Sequence, residues 1–154
     1  MVKIAATQDL KVAVRAPVAD VFGFFSDPSQ IREMSVDVAS FELKSPMVAR
    51  FLLTEKVEKG VRFQADYTVE YSPSAPDRVA WRSVAGNMDV EGEVRLRAVD
   101  AGNTEIHYRE TVAPDLPITR LTAMLFKPIV ARELRQDISK FLDRVVGRLN
   151  GPRR

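Results

Sequence analysis

The sequence predicts an α+β domain in which a curved antiparallel sheet wraps around a long C-terminal helix. Three observations predict it. Residues 35–113 alternate apolar and polar side chains with a period of two, between closely spaced turn signals. The chain beyond Pro117 carries apolar residues at helical spacing. A run of strands followed by a helix indicates α+β architecture, because a parallel sheet needs a crossover of a dozen or more residues between strands.

The elements follow in order. Val2, Ile4, Ala6, Leu10, Val12 and Val14 share one parity, opposite Lys3, Lys11 and Arg15, which reads as a half-buried first strand with a break expected near Gln8. Pro17 suits the first position of a helix, with Val21, Phe22 and Phe25 on its buried face. Asp27-Pro28 ends that helix and starts another: Asp27 caps it, and Gln30 completes an analogue of the capping box ahead of Ile31 and Met34. Two short helices therefore follow the first strand.

Turn chemistry at Ser45-Pro46, Lys59-Gly60, Ser72 to Asp77, Gly86-Asn87 and Gly102-Asn103 divides the next stretch into six strands. Val61, Phe63, Ala65, Tyr67, Val69 and Tyr71 face one way in the clearest of them. Met88, Val90, Gly92, Val94 and Leu96 do so in a second, and Thr104, Ile106, Tyr108, Glu110 and Val112 in a third. Between 47 and 57, Met47, Ala49, Phe51 and Leu53 are the inward set. The sheet is thus predicted to have seven strands. Leu134, Ile138, Phe141, Leu142, Val145 and Leu149 form the stripe of the final helix, and Pro128 is expected to kink it or to begin it anew. One helix about 10–12 Å across cannot cover such a sheet, so the sheet has to curl, and the space enclosed need not be filled by side chains.

A chain of 154 residues suits one domain, taken as 1–150, with Gly151 to Arg154 as a frayed end. Zero cysteines exclude disulfides, thiolate nucleophiles and iron–sulfur clusters, and a single histidine excludes a multi-histidine metal site. A net charge of +2 does not suggest nucleic acid as a partner. Residues 118–154 carry nine Lys/Arg against three Asp/Glu, a net +6, while the rest is −4 (14 against 18). That basic helix is either a solvated face or a weak docking surface for an anionic membrane or protein. No apolar run is long enough for a membrane span or a signal peptide, so a cytoplasmic setting is the expectation.

The stretch VRAPVADVFGFFSDPSQI resembles the START-like, or SRPBCC, superfamily, in which a strand runs into an "AP…VF…F.SDP" pattern. VAWRSVAGNMDVEGEVRL and GNTEIHY are similar to later strands of the same superfamily, and the similarity is greatest to its polyketide cyclase/dehydrase group and that group's carbon monoxide dehydrogenase-associated relatives. The resemblance implies the helix-grip fold and a cavity for a hydrophobic small molecule (lipid, polyketide or isoprenoid-like), usually without metal or cofactor.

Glu110 shares its parity with Ile106, Tyr108 and Val112, so it either enters the cavity as a desolvated carboxylate or reaches water at a strand end before Pro114. Tyr67, Tyr71, Trp81 and Tyr108 would line the wall with polar tips on apolar bodies, beside Met88 and Val90. Met124, Leu125 and Phe126, ahead of Pro128, are expected to form an apolar gate. His107 alternates with Glu105 and Arg109 on the solvated face and is rejected as a base. Asp89, Glu91 and Glu93 read as a solvated edge, and no metal is assigned. Phosphate-loop, GxSxG and HExxH motifs are absent. Ligand binding or transport is the leading expectation. A cyclase/dehydratase-type enzyme using Glu110 with Tyr67 or Tyr108, although no second inward titratable group is visible, and a docking protein are the alternatives.

Overall fold

The structure, a computed structural model, describes residues 1–150; the expected frayed end, Gly151 to Arg154, lies outside the described residues. Strands β1 (Val2–Lys3) and β2 (Ala6–Val14) lead into helices α1 (Val18–Phe25) and α2 (Pro28–Met34). Then come β3 (Val38–Ser45), β4 (Val48–Leu53), β5 (Lys56–Glu58), β6 (Val61–Phe63), β7 (Asp66–Ser74), β8 (Arg78–Gly86), β9 (Met88–Asp100) and β10 (Asn103–Leu116). Helix α3 (Arg120–Leu149) completes the chain. The main sheet is antiparallel with eight strands in the order β1-β10-β9-β8-β7-β4-β3, and β2 joins β10 on the same edge as β1. This is the helix-grip α+β arrangement.

The eighth strand arises because the first predicted strand is split at Ile4-Ala5, not near Gln8. Proline explains the place. Val112 pairs with Ala6 and Leu116 with Val2, so the break falls opposite Pro114, which has no N–H to give the ladder. Ile4 N–H still reaches the Pro114 carbonyl at 3.2 Å, and β10 runs through to Leu116 instead of ending before Pro114. The two strands expected on either side of Lys59-Gly60 also break, at 54–55 and 64–65, and release a separate β5–β6 hairpin. Its turn has positive φ at both Lys59 (48°) and Gly60 (78°), as a two-residue primed turn requires.

Asp27 caps α2 through Ser29 N–H at 3.0 Å. Gln30 closes on the Asp27 carboxylate at 3.0 Å, whereas a true capping box would use the Asp27 backbone N–H, which here goes to the Phe24 carbonyl. On α1 the buried residues are Val21, Phe24 and Phe25; Phe22 is only half-buried. Pro17 is the cap of that helix, one place before its first turn.

Helix α3 does not restart at Pro128; the proline sits inside one continuous helix. The C-terminal half of α3 packs Leu134, Ile138, Phe141, Leu142 and Val145 into the main core with Phe24, Phe25, Val94 and Ile106. A second, smaller cluster joins Ile4 and Leu116 to Phe126 and Ile129. Among the described residues no helix is long and apolar enough to cross a membrane.

Candidate functional site

The inner face of the sheet and the facing side of α3 leave a cavity of about 240 Å³ between them. For scale, about 150 Å³ is enough for benzene, and drug-sized ligands start near 300 Å³. The lining extends out to the exposed Thr54, so the hollow reaches the surface beside β4.

Glu110 anchors its polar end. It lies in mid-strand, because β10 continues past it, so the strand-end reading does not hold. Its Oε2 accepts the indole N–H of Trp81 at 2.8 Å and the hydroxyl of Tyr108 at 3.3 Å. The register shows how this contact is built. Trp81 on β8, Gly92 on β9 and Glu110 on β10 form one row across three strands. A Cβ at Gly92 would stand 2.5–2.7 Å from Cζ2, Cε2 and Nε1 of Trp81, so only glycine lets the indole lie across β9 and reach the carboxylate.

Burial pushes the Glu110 carboxyl up to about 7; the bonds from Trp81 and Tyr108 oppose that shift, and the charge of Asp137 adds to it. Oε1 has no protein partner among the described residues, and neither do the hydroxyls of Tyr67 and Tyr71, both of which line the cavity. Burial holds the phenols of Tyr67, Tyr71 and Tyr108 well above their ordinary range, with the Glu110 charge pushing the same way. All three remain neutral donors at any physiological pH. Trp81 and Tyr108 pack with ring centroids 5.1 Å apart, and Tyr67 stacks on Phe51 at 5.6 Å.

A second polar group lies on the opposite wall. Lys56 Nζ of β5 donates to Glu133 Oε2 at 2.8 Å and to Asp137 Oδ2 at 3.2 Å on α3, and all three residues line the cavity. Desolvation works against the Lys56 charge, but the bond to Glu133 and the charges of both carboxylates outweigh it, so its pKa rises. The bond from Lys56 holds Glu133 low, whereas burial raises Asp137 in spite of Lys56. Sequence reasoning missed this group and denied a second inward titratable residue. The spacing contained the signal, because Asp137 sits three residues after Leu134 and four before Phe141, on the edge of the buried stripe.

Tyr67, Tyr71, Trp81, Met88, Val90, Tyr108, Glu110 and Phe126 all line the cavity. Met124 and Leu125 do not. They are 81% and 59% exposed, with Leu121 beside them at 88%, so the expected gate is absent. The reason is the unbroken helix: with Phe126, Ile129, Val130 and Glu133 turned inward, its 3.6-residue period sends 121, 124 and 125 outward. On the outer face, His107 pairs with Asp9, and Asp89 and Glu93 pair with Lys3 and with Arg78 and Arg95. Among the described residues no three potential metal-ligating side chains come together.

A family profile described as polyketide cyclase / dehydrase and lipid transport matches residues 1–150. The chain belongs to this family. No curated protein matches it. Among solved structures it is similar to a Thermus thermophilus protein at 15% identity, covering 93% of this chain and 96% of that one with a TM-score of 0.72. A START superfamily protein from Mycobacterium smegmatis aligns over the same shares at 12% identity with a TM-score of 0.71. Norcoclaurine synthase from Thalictrum flavum, solved with dopamine and hydroxybenzaldehyde, is 7% identical over 97% of this chain and 91% of its own, with a TM-score of 0.63. At such identities these likenesses bear on the fold alone. The family profile, over residues 1–150, supports a ligand-binding or cyclase-type role in general.

Proposed function

We propose that residues 1–150 form one cytoplasmic domain that binds or carries an apolar, ring-bearing small molecule between the sheet and α3, its polar end held by Glu110. The observation that carries this reading is the pairing of an apolar hollow with a half-buried carboxylate whose second oxygen opens to that hollow. A packed core has no use for an unmatched carboxylate, because desolvation without a partner is costly. Trp81, Tyr67, Tyr71, Tyr108, Met88, Val90 and Phe126 supply the wall, and no metal, cofactor or nucleic acid enters this reading. Native mass spectrometry of the purified protein, with Nile red uptake as a second probe, tests it. The expected result is a retained small molecule or saturable dye binding; an empty protein that takes up no dye contradicts the reading.

One observation favours a second reading, an enzyme of the cyclase/dehydratase type. Glu110 is accompanied by Asp137, so two carboxyls with raised pKa values share the cavity. In that case Glu110→Gln abolishes turnover of the retained compound while the fold persists. The outward side of α3 adds a surface proposal: contact with an anionic membrane. Leu121, Met124 and Leu125 are exposed there beside Arg120 and Lys127, with no acidic residue between Asp115 and Glu133. Phosphatidylglycerol vesicles should retain the protein at low salt and release it at high salt; equal retention on phosphatidylcholine vesicles contradicts this contact.

A further inference from the structure

The reading of the cavity as a ligand site leaves the ligand's polar group open, and the charges that face the cavity bear on it. Four carboxylates, Glu58, Glu110, Glu133 and Asp137, line it against one cation, Lys56. Lys56 already gives two of its three donors to Glu133 and Asp137, at 2.8 and 3.2 Å, so its charge is outnumbered two to one by its own partners. Glu58 and Glu133 turn part of their charge to Arg132, at 3.1 and 3.5 Å. Even with Arg132 counted, two cations face four carboxylates. Glu110 receives only neutral donors, Trp81 and Tyr108.

The excess is therefore negative, and it lies in an apolar wall where charges are screened far less than in water. The acceptors are also open. Glu110 Oε1 has no partner among the described residues, and the Tyr71 hydroxyl, on a residue only 7% exposed, faces the same space without an acceptor. An incoming carboxylate meets like charge and finds no free cation. An incoming ammonium meets an unmatched carboxylate and gives it the ionic partner that the protein withholds.

We infer that the cavity selects a compact apolar amine, its ammonium lodged between Glu110 and Asp137 and its rings or chain against Trp81, Tyr108 and Tyr67, and that it discriminates against acyl carboxylates. Glu110 and Asp137 are then the specificity-determining residues. The inference rests on the proposed ligand-binding role and goes beyond it by naming the ligand's charge.

The test uses three molecules of one size and shape: 4-phenylbutylamine, 4-phenylbutanol and 4-phenylbutyrate, each competing with Nile red on the full chain at pH 7.5. The amine is expected to bind about tenfold or more tighter than the alcohol, and the carboxylate to bind weakest. In the Glu110→Gln/Asp137→Asn double variant the amine-to-alcohol ratio should fall to near one. Asp9→Asn, which removes a carboxylate from the outer face, should leave that ratio intact. A carboxylate that binds as tightly as the amine on the unmodified protein overturns the inference without any variant having to fold. A preference for the amine that survives in a folded double variant overturns it too. If neither the dye nor the alcohol binds, the cavity reading itself falls and takes this inference with it; if the alcohol binds but the amine does not, only the inference falls.

Discussion

Strand β10 carries charge on both faces, and the two faces treat it in opposite ways. Outward, Glu105 is matched by Arg97 at 3.0 Å, and His107 and Arg109 share Asp9. The bond from Arg97 holds the Glu105 carboxyl below its ordinary value. Inward, one step beyond Arg109, Glu110 is given an indole and a phenol and no cation, and burial raises it to about 7. The same residue type on the same strand is given a cation where water already screens it and only neutral donors where the hollow screens it less. Outer pairs of this kind each contribute little, about 0–1 kcal/mol, so they keep the sheet soluble and in register. The inner carboxylate costs stability, which the proposed ligand-binding role would account for.

The strongest way to break this comparison is to remove the inner charge. The native state holds the Glu110 proton up to about pH 7, whereas an ordinary glutamate releases it near 4.5. Between those values the native state binds more protons than the unfolded state, so this group's contribution to stability falls as pH rises and is fully lost above about 7. The loss amounts to about 3 kcal/mol by linkage. Glu110→Gln should therefore flatten the profile and leave the variant more stable than the parent at pH 9 in urea unfolding. A parent protein with no such decline between pH 5 and 8 would count against an unmatched inner carboxylate.

A smaller effect follows from filling the row that joins Trp81 to Glu110. Gly92→Ala places a methyl group against the indole, and overpacking of that kind costs about 1–3 kcal/mol. Because Trp81 is the only tryptophan, its emission reports the displacement directly. A redder spectrum is expected as the N–H leaves Oε2; an unchanged spectrum and unchanged stability would mean that the indole does not need the glycine. The smallest effect belongs to the outer face. Asp9→Asn removes the partner of His107 and Arg109 and should cost under about 1 kcal/mol, less in high salt. A larger, salt-independent cost would erase the contrast between the faces.

Alternation was enough to place Glu110, Tyr108, Tyr67 and Tyr71 on the inner wall, because a period of two assigns a face to every residue in a strand whose register is pinned by one buried side. The helix-grip order was legible for the same reason. What alternation could not supply was contact between elements distant in the chain. Asp137 meets Lys56 across 81 residues, through a hairpin that leaves the main sheet after Leu53, and no local pattern announces that departure. The break at Ile4-Ala5 was hidden likewise, since its cause, Pro114, lies on the partner strand. Gly92 stood in the sequence as a plain strand glycine; its role needed the register that sets Trp81 and Glu110 on either side of it. Met124 and Leu125 were misassigned because proline was given the power to reset a helix that tertiary packing carries through.

The most direct test is a carbon-13 NMR titration of the glutamate side-chain carboxyls, with Glu110 assigned through Glu110→Gln and Glu105 as the internal reference. A midpoint near 7 for Glu110, beside one below 4.5 for Glu105, is the predicted pair. Two ordinary midpoints near 4.5 would mean that the inner wall is as wet and as well matched as the outer one, and the site described above would not exist.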